Sequence, residues 1–272
     1  MKICTLRLEE DLSYRTILVN DNPPIRTITL NRPERRNAMT QEMQSELIHA
    51  FEEATAGDIR VLILTGAGEA FCSGLDLSEL QTLRNKTANE HRSDAERIAR
   101  LFLTLYELPI PTIAAVHGPA IAGGTGLAMV CDFTFATLAS KFGFTEVRIG
   151  FVPALVSAFL SLQVGDKRCR DLLLTGRLFE AAEAHKMGLV TEVVSHGELM
   201  SRVQRHAETL LANSPQSLSA TKGLLAAQHR PWLDAAITAA MGVNAGSRET
   251  ADFNEGIAAF LEKRKPKWTK GQ

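Results

Sequence analysis

The stretch PTIAAVHGPAIAGGTGLAMVCD, residues 111–132, runs from an apolar strand into a glycine cluster that opens a helix. The first N–H groups of a helix lack intrahelical partners, and glycine lets another molecule approach the backbone closely. A turn of this kind at Gly123 and Gly124 can bind an anion or an oxyanion. The alternative is a tight strand-to-helix crossover in which the glycines serve packing alone.

A second glycine-marked helix start lies in AFCSGLDLSELQTL, residues 70–83. Gly74 comes just before Leu77, Leu80 and Leu83, which have helical spacing. Two helix starts can direct backbone N–H groups at one oxygen, and such preorganised donors stabilise negative charge as it develops there. The sequence therefore predicts an oxyanion hole built from two loops.

A candidate base follows in KFGFTEVRIGFVPAL, where Glu146 lies among Phe142, Phe144 and Phe151. Apolar surroundings disfavour the charged carboxylate, so burial would raise the pKa of Glu146 towards neutrality. Such a pKa suits a group that both takes and returns a proton. The alternatives are a solvated glutamate on an alternating strand and a glutamate paired with Arg148.

Several motifs in order resemble the crotonase family, the enoyl-CoA hydratase/isomerase group. They are LNRPERRNAM at 30–39, AFCSGLDL at 70–77, PTIAAVHGPAIAGG at 111–124, CDFTFA at 131–136, and F-x-x-x-E-x-x-x-G-x-x-P from Phe142 to Pro153. The ending FNEGIAAFLEKRKPKW matches as well, so the resemblance spans residues 14–268. Within the family, FTEVRIGFVPALVS resembles the bacterial methylglutaconyl-CoA hydratase-like branch.

The resemblance implies chemistry on an acyl-CoA thioester. It implies that the N–H groups of Leu75 and Gly123 form the oxyanion hole and that Glu146 transfers protons. The implied CoA-binding positions are Ala70, Asp76, Leu77 and Ser78, with Phe260 and Lys263 at the adenine and 3′-phosphate end, often beside a neighbouring subunit. No metal or redox cofactor is implied, because CoA enters as part of the substrate.

Two positions depart from the family pattern. Two-carboxylate hydratases have a glutamate where this chain has Gly126, and the family has proline where this chain has Thr145. One glutamate is enough to move a proton between C2 and C4, whereas hydration also needs an activated water. Glycine can follow the cluster in the methylglutaconyl-CoA branch too, so the local match favours an enoyl-CoA hydratase. The alternatives are an enoyl-CoA isomerase, a thioester hydrolase or other enolate chemistry, and a non-catalytic acyl-CoA-binding or RNA-associated protein.

Two further polar residues near the glycine cluster have alternative interpretations. Asp132, the aspartate of CDFTFA, is interpreted as the anchor of a turn, with a direct part in chemistry as the alternative. His117 lies on the approach to the oxyanion loop, where we expect a structural hydrogen bond rather than catalysis.

Composition and charge restrict the class of protein. With 272 residues, 45% hydrophobic and 22% charged, the chain has an ordinary globular profile. A net charge of −1 gives no reason to expect nucleic acid or a membrane surface as a partner. The four cysteines show no C-x-x-C pair, so neither a zinc site nor a disulfide framework is indicated.

Targeting and membrane signals are also weak. The start, MKICTLRLEEDLSYR, has no apolar core of the signal-peptide kind, and the apolar run 108–135 is interrupted by proline, histidine and glycine. We therefore expect a cytoplasmic protein with no membrane span.

The predicted fold is α/β, and the resemblance specifies a crotonase-type spiral of strand-strand-helix repeats. We expect an α/β core at residues 1–195 and a helical C-terminal region at 196–272 that makes the contacts of a homotrimer or hexamer. Periodicity predicts strands at Ser13–Asn20, Ile25–Leu30, Ile59–Leu64 and Leu189–Val194.

Helix boundaries are predicted from capping residues. Thr40 caps a helix that ends near Gly57. Ser93 and Glu96 form a predicted capping box for a helix that stops before Pro109, and residues 85–92 are a polar loop or a ragged helix start.

Overall fold

A six-stranded sheet forms the centre of the molecule. The computed structural model describes residues 14–83 and 85–268, with the side chain of Leu77 left out. In spatial order the strands are β1 (Ile17–Asn22), β2 (Ile25–Leu30), β3 (Val61–Gly66), β4 (Thr112–Val116), β6 (Phe133–Thr137) and β9 (Glu192–Val194). β1 and β2 pair as an antiparallel hairpin, and every other pair is parallel.

A smaller sheet lies beside the large one. It consists of β5 (Ala120–Ile121), β7 (Lys141–Gly143) and β8 (Leu178–Glu180), with β7 in the middle. β5 runs parallel to β7, and β8 runs antiparallel to it. Because β5 directly precedes the glycine cluster, this sheet fixes where the next helix begins.

Helices cover both faces of the large sheet. They are α1 (Gln41–Glu53), α2 (Leu77–Leu83), α3 (Ala88–Glu107), α4 (Gly123–Val130), α5 (Ala154–Thr175), α6 (Ala181–Met187), α7 (Leu199–Leu211), α8 (Pro215–Ser247) and α9 (Ala251–Leu261). Short 3₁₀ helices lie at Pro33–Arg35, Glu146–Ile149 and His196–Glu198. Within the described residues, none of the helices combines the length and the apolar character needed to cross a bilayer.

The strand sequences explain this layered arrangement. All five residues of β4, TIAAV, are buried, as is typical of a parallel strand covered on both faces. On one face, Ile63 and Phe135 pack with Val203 and Ala207 of α7. The larger core lies on the other face, where α1, α3, α4 and α5 pack together.

The C-terminal helices pack directly onto the α/β body. α8 lies against α3 and α5, and α9 lies against the 3₁₀ helix Glu146–Ile149. That last contact is close, because a Cβ on Gly256 would overlap the Ile149 carbonyl. The boundary at residue 195 and the oligomerisation role of the helical region stay predictions.

Most of the predicted elements are present. The α/β class, the hairpin around residues 21–24, the helix capped by Thr40 and the late strand are confirmed. The helix after Thr40 ends at Glu53, ahead of the predicted end near Gly57. Ser13, Cys4 and residues 269–272 lie outside the described residues. β8 was not predicted, because three residues are too few to show a period of two.

The predicted capping box at Ser93 is wrong. α3 begins at Ala88, and the reciprocal bonds are made by Thr87 and Glu90: the Glu90 N–H donates to Thr87 Oγ1 at 3.4 Å, and the Thr87 N–H donates to Glu90 Oε2 at 2.7 Å. Ser93 lies inside the helix and is exposed. Residues 85–92 are therefore largely the first turns of α3, and their polarity reflects its solvent-facing side.

The position of the capping box predicts that Thr87→Ala and Ser93→Ala differ in stability. Thr87→Ala should lower the free energy of unfolding by about 1 kcal/mol, because it removes the N-cap acceptor. Ser93→Ala should leave stability unchanged or slightly raise it, because alanine is the better helix former. Urea unfolding of both variants measures the difference, and an equal loss from Ser93→Ala would contradict the assignment.

Candidate active site

The two predicted oxyanion loops are joined by backbone hydrogen bonds. The N–H groups of Phe71 and Cys72 donate to the Pro119 carbonyl at 3.0 and 3.2 Å, and the Ile121 N–H donates to the Cys72 carbonyl at 2.9 Å. The Ala122 N–H donates to Gly143 in β7 at 2.7 Å. The start of α4 is thereby held against the loop that leads to α2.

Glycine is required where these loops meet. A Cβ on Gly118 would overlap the Glu69 carbonyl, and a Cβ on Gly124 would overlap the Cys72 carbonyl. The expectation that Gly124 makes room for a substrate carbonyl is therefore wrong, since its space is taken by the other loop. At Gly123 a Cβ would lie 2.6 Å from Met39 Cε, the flexible end of a side chain.

Two backbone N–H groups are left unpaired at this junction. The backbone of Met39 is hydrogen-bonded to both neighbours of Leu75. Its N–H donates to the Gly74 carbonyl, and its carbonyl accepts from the Asp76 N–H. The N–H groups of Leu75 and Gly123 donate to no acceptor within the described residues. The loops are close together, because a Cβ on Gly74 would lie 3.8 Å from the Gly123 nitrogen. These groups can serve as paired donors to one oxygen.

The backbone at the second loop has an uncommon conformation. Ala122 has φ 53° and ψ −121°, a region that residues other than glycine rarely adopt. Gly74 has φ +90° on the facing loop. Both residues directly precede the unpaired N–H groups, so these turns direct the donors away from the protein backbone.

Asp76 anchors the first loop. Its carboxylate accepts hydrogen bonds from Arg32 Nη1 at 2.7 Å and from the Ser78 N–H and hydroxyl at 2.8 and 2.6 Å. Burial alone disfavours the charged form, but the bonds from Ser78 and Arg32 hold the pKa of Asp76 below its usual value. Asp76 is therefore ionised and fixes the start of α2.

Glu146 is the buried carboxylate of the site. It begins the 3₁₀ helix Glu146–Ile149 and is 8% exposed. Its Oε2 atom is buried and has no hydrogen-bond partner among the described residues. Burial raises the pKa of Glu146 to about 7, against a weaker opposing contribution from its own backbone N–H. The alternating-strand and Arg148-paired interpretations are both wrong, since the segment is helical and no ion pair joins the two residues in the described structure.

A cavity of about 370 Å³ brings these groups together. Its wall includes Leu75, Asp76, Gly123, Glu146 and Phe260. The exposed Arg35 and Arg36 lie at its mouth. The apolar part of the wall comprises Ala38, Met39, Leu80, Ile98, Phe102, Ala122, Ile149, Phe151, Val152, Pro153, Ala154, Leu155 and Val156. An apolar cavity with a few polar groups is typical of a small-molecule site.

Comparison with known proteins identifies the family. The model of the enoyl-CoA hydratase/isomerase family matches residues 21–271. The chain belongs to the enoyl-CoA hydratase/isomerase family. A protein of Thermus thermophilus, provisionally named an enoyl-CoA hydratase, is 43% identical over 245 residues, which cover 90% of this chain and 97% of that protein.

Other members of the enoyl-CoA hydratase/isomerase family extend the comparison. The 1,2-epoxyphenylacetyl-CoA isomerase of Escherichia coli is 32% identical, with 93% of this chain and 98% of that protein covered. A crystal structure of an enoyl-CoA hydratase/isomerase from Xanthobacter autotrophicus is 31% identical, has a TM-score of 0.86, and covers 92% of this chain and 94% of its own. The crotonase fold is thereby confirmed. Membership in the methylglutaconyl-CoA hydratase-like branch stays a prediction.

The predicted site residues fall into two groups. Leu75, Asp76, Gly123, Glu146 and Phe260 line the cavity, whereas Ala70, Ser78 and Lys263 are not part of its wall. Ala70 is buried, and its carbonyl accepts a hydrogen bond from Asn37. The Leu77 side chain lies outside the described structure. The CoA-binding roles of these residues stay predictions.

Gly126 has a steric reason to be glycine. A Cβ there would lie 2.8 Å from Val156 Cγ1 and 2.9 Å from Phe102 Cζ, so any larger residue requires these side chains to shift. The position that bears the first carboxylate of two-carboxylate family members is filled by apolar side chains in this chain. The carboxylates of the described cavity wall are Asp76, which is paired with Arg32, and Glu146, which stays the candidate for proton transfer.

Asp132 and His117 have structural contacts. The Asp132 carboxylate accepts hydrogen bonds from the Thr112 N–H and from Lys222 Nζ at 2.8 and 2.6 Å. The His117 Nε2 atom lies 3.0 Å from the Gly68 carbonyl oxygen. Neither side chain belongs to the cavity wall.

Two cavity residues were missed by the sequence prediction. Gln44 lies on the buried face of α1 beside Met43 and Leu47, and a polar residue within that apolar stripe was an available signal. Asn244 lies near the end of α8, where the sequence shows no pattern that singles it out.

The close packing of the two loops predicts that adding a methyl group at Gly124 lowers stability. Gly124→Ala should lower the free energy of unfolding by about 1–3 kcal/mol and separate the loops, since the new Cβ overlaps a carbonyl. Gly57→Ala is the matched control, because a Cβ there meets nothing within 4 Å. Thermal unfolding of the two variants measures this, and equal stability would refute the close-packing argument.

The buried carboxylate predicts a pH-dependent stability difference. The raised pKa means that the folded protein binds more protons than the unfolded chain between pH 4.5 and about 7. Wild type should therefore lose stability relative to Glu146→Gln as the pH rises through that window, by about 3 kcal/mol at pH 8. Urea unfolding at pH 4.5 and pH 8 measures the difference in unfolding free energy between the two proteins. If that difference is the same at both pH values, Glu146 is not a buried titrating group.

Proposed function

We propose that the protein is an enoyl-CoA hydratase that adds water across the C2=C3 bond of a 2-enoyl-CoA thioester through an enolate. The observation that carries the proposal is one cavity with two unpaired backbone N–H groups and one buried carboxylate with a free oxygen. The hydratase name of the Thermus thermophilus relative supports the same reaction.

The oxyanion hole activates the thioester. The substrate carbonyl oxygen accepts hydrogen bonds from the Leu75 and Gly123 N–H groups, which withdraw electron density from C3. As a nucleophile adds at C3, negative charge moves onto this oxygen. Because the donors are fixed by the loop junction, they stabilise that charge without reorganising.

Glu146 transfers the proton. Its carboxylate takes a proton from water as the water oxygen bonds to C3, and the enolate forms. The protonated Glu146 then returns a proton to C2, which restores the thioester carbonyl. A pKa near 7 suits both steps, because the group is neither too weak a base nor too weak an acid at neutral pH.

The CoA moiety would extend towards the mouth of the cavity. Arg35 and Arg36 are exposed there, and guanidinium groups bind phosphates well. Phe260 is half exposed at the end of α9 and belongs to the wall, as expected for a contact near the adenine. Lys263 is the proposed partner of the 3′-phosphate. The reaction as proposed uses no metal or redox cofactor.

Assembly and location complete the proposal. The C-terminal helices present exposed Leu224, Leu225 and Trp232 on α8, which are suitable for subunit contacts in a homotrimer or hexamer. We place the protein in the cytoplasm, where its three described cysteines would remain reduced.

Double-bond isomerisation is the second candidate. The observation that favours it is the crowded glycine at position 126, which leaves one glutamate that could carry a proton between C2 and C4. The description of the matching family, enoyl-CoA hydratase/isomerase, includes an isomerase as well.

Turnover assays separate these reactions. The purified protein should convert 2-enoyl-CoA to 3-hydroxyacyl-CoA, and Glu146→Gln should lower kcat by about 100-fold or more, because it removes the general base. Movement of the double bond in 3-enoyl-CoA without hydration would identify an isomerase. Binding without either reaction would identify a non-catalytic acyl-CoA-binding protein.

The pH profile tests the role of the same carboxylate. Only ionised Glu146 can accept a proton from water, so kcat/KM for hydration should rise with pH around its pKa of about 7. One pH unit below that midpoint, kcat/KM should be about tenfold lower than the plateau. Residual activity of Glu146→Gln should lack this step, and an unchanged step in that variant would assign it to another group.

A further inference from the structure

Two carboxamide side chains face the cavity from opposite elements. Gln44 of α1 is 2% exposed and Asn244 of α8 is 3% exposed, and both line the wall. Their oxygens are occupied: Arg97 Nε donates to Gln44 Oε1 at 3.2 Å, and Arg248 Nη2 donates to Asn244 Oδ1 at 2.8 Å. The NH₂ groups of both residues donate to no acceptor within residues 14–83 and 85–268.

The anchoring arginines are themselves held in place. Arg97 and Arg248 both pair with Asp94, Arg248 at 3.3 Å, and Lys86 Nζ lies 2.6 Å from the same carboxylate. In the described structure, Asp94 is the sole carboxylate in an ion pair with any of these three cations. Burial, together with Arg248, lowers the pKa of the adjacent His91, so this ring is neutral at pH 7. Three cations therefore share one ion-paired carboxylate behind the cavity wall, and Glu90 and Glu249 lie near enough to interact with Lys86 and His91.

The two amides belong to a buried part of the cavity wall. Arg35 and Arg36 are exposed at the mouth, whereas Gln44 and Asn244 are buried. The Arg248 guanidinium lies 5.4 Å from the centre of the Phe151 ring, which belongs to the wall. The Nε atom of Arg248 is buried and has no hydrogen-bond partner in the described structure. This part of the wall thus places amide donors beside the buried Arg248 guanidinium.

An apolar chain end is a poor match for this region. Each carboxamide NH₂ has two donors, and donors facing a purely hydrocarbon group would stay unsatisfied. A carboxylate has enough acceptor sites for both amides, and its charge complements the cations behind them.

We propose that the acyl group of the substrate ends in a carboxylate, which the NH₂ groups of Gln44 and Asn244 bind. The inference rests on the proposed function in that it takes an acyl-CoA to occupy the cavity. It makes these residues determinants of substrate specificity, with Arg97 and Arg248 as positioning residues that fix the amide orientation.

Binding of unreactive acyl-CoA thioesters tests the proposal without requiring turnover. Glutaryl-CoA and adipyl-CoA are compared by calorimetry with pentanoyl-CoA and hexanoyl-CoA, which have the same chain lengths but end in methyl groups. We expect each carboxylate-ended thioester to bind about tenfold or more tightly than its matched partner, because hydrogen bonds to a charged group are strong. Equal or weaker binding would overturn the proposal.

Variants assign the preference to the two amides. Gln44→Leu and Asn244→Leu should each reduce the binding preference for carboxylate-ended thioesters. Gln44→Glu should abolish this preference, since the variant keeps the shape and the Arg97 contact but replaces the NH₂ with an acceptor. Gln163→Leu is the control, because Gln163 donates to the Met129 carbonyl and is not part of the wall. A preference that persists in all three cavity variants would contradict the assignment.

Hydration assays keep the two proposals distinguishable. Hydration of 2-pentenoyl-CoA at rates equal to those of glutaconyl-CoA, with no preference in binding, would retain the hydratase and refute the carboxylate site. Tight binding of glutaryl-CoA without any hydration would refute the hydratase and support the carboxylate site.

Discussion

The backbone contact between residues 71–72 and 119–121 is the constraint on which the whole site depends. It holds two chain segments so closely that Gly118 and Gly124 leave no space for a Cβ. Because of this contact, the N–H groups of Leu75 and Gly123 adjoin the same cavity although 48 positions separate them in the chain. A hydrogen bond from the Ala122 N–H to the carbonyl of Gly143, in the small sheet, then fixes the start of α4 from the other side.

The position of Glu146 depends on a second close contact. Gly150 and Gly256 allow the 3₁₀ helix of Glu146 and α9 to approach until backbone meets backbone. The carboxylate at the start of this 3₁₀ helix is buried, which raises its pKa and makes the charged form unfavourable. The fold tolerates a buried, half-satisfied carboxylate because the surrounding core is large, and this cost in stability is typical of a catalytic group.

The part of the cavity wall formed by Gln44 and Asn244 differs in physical character from the apolar part. Asp94 connects α3 to α8 through Arg248, and this network orients side chains on α1 and α8. Networks of this kind are rigid when satisfied, because each member fixes the next. Apolar side chains crowd the space at Gly126, and the two amides add a polar part to an otherwise mostly apolar wall.

Local sequence determined most of the elements and marked the candidate reactive groups. Apolar runs fixed the buried strands, Thr40 fixed the start of α1, and the glycine clusters marked the two oxyanion loops. The family motifs identified Glu146 and its loop partners for the same reason, since each motif is a short, contiguous stretch. The start of α3 was misassigned, because Thr87 and Ser93 both precede a glutamate by three residues and the sequence alone does not rank them.

Tertiary structure alone decided which groups meet. The crowding at Gly126 comes from Phe102 and Val156, which lie on two other helices. Gln44 and Asn244 are 200 positions apart, and the packing of α3 between α1 and α8 brings both to one cavity. The 3₁₀ helix that begins at Glu146 likewise packs against α9, the last helix of the described residues. These contacts are long-range, and no local pattern encodes them because their energy arises from packing rather than from propensity.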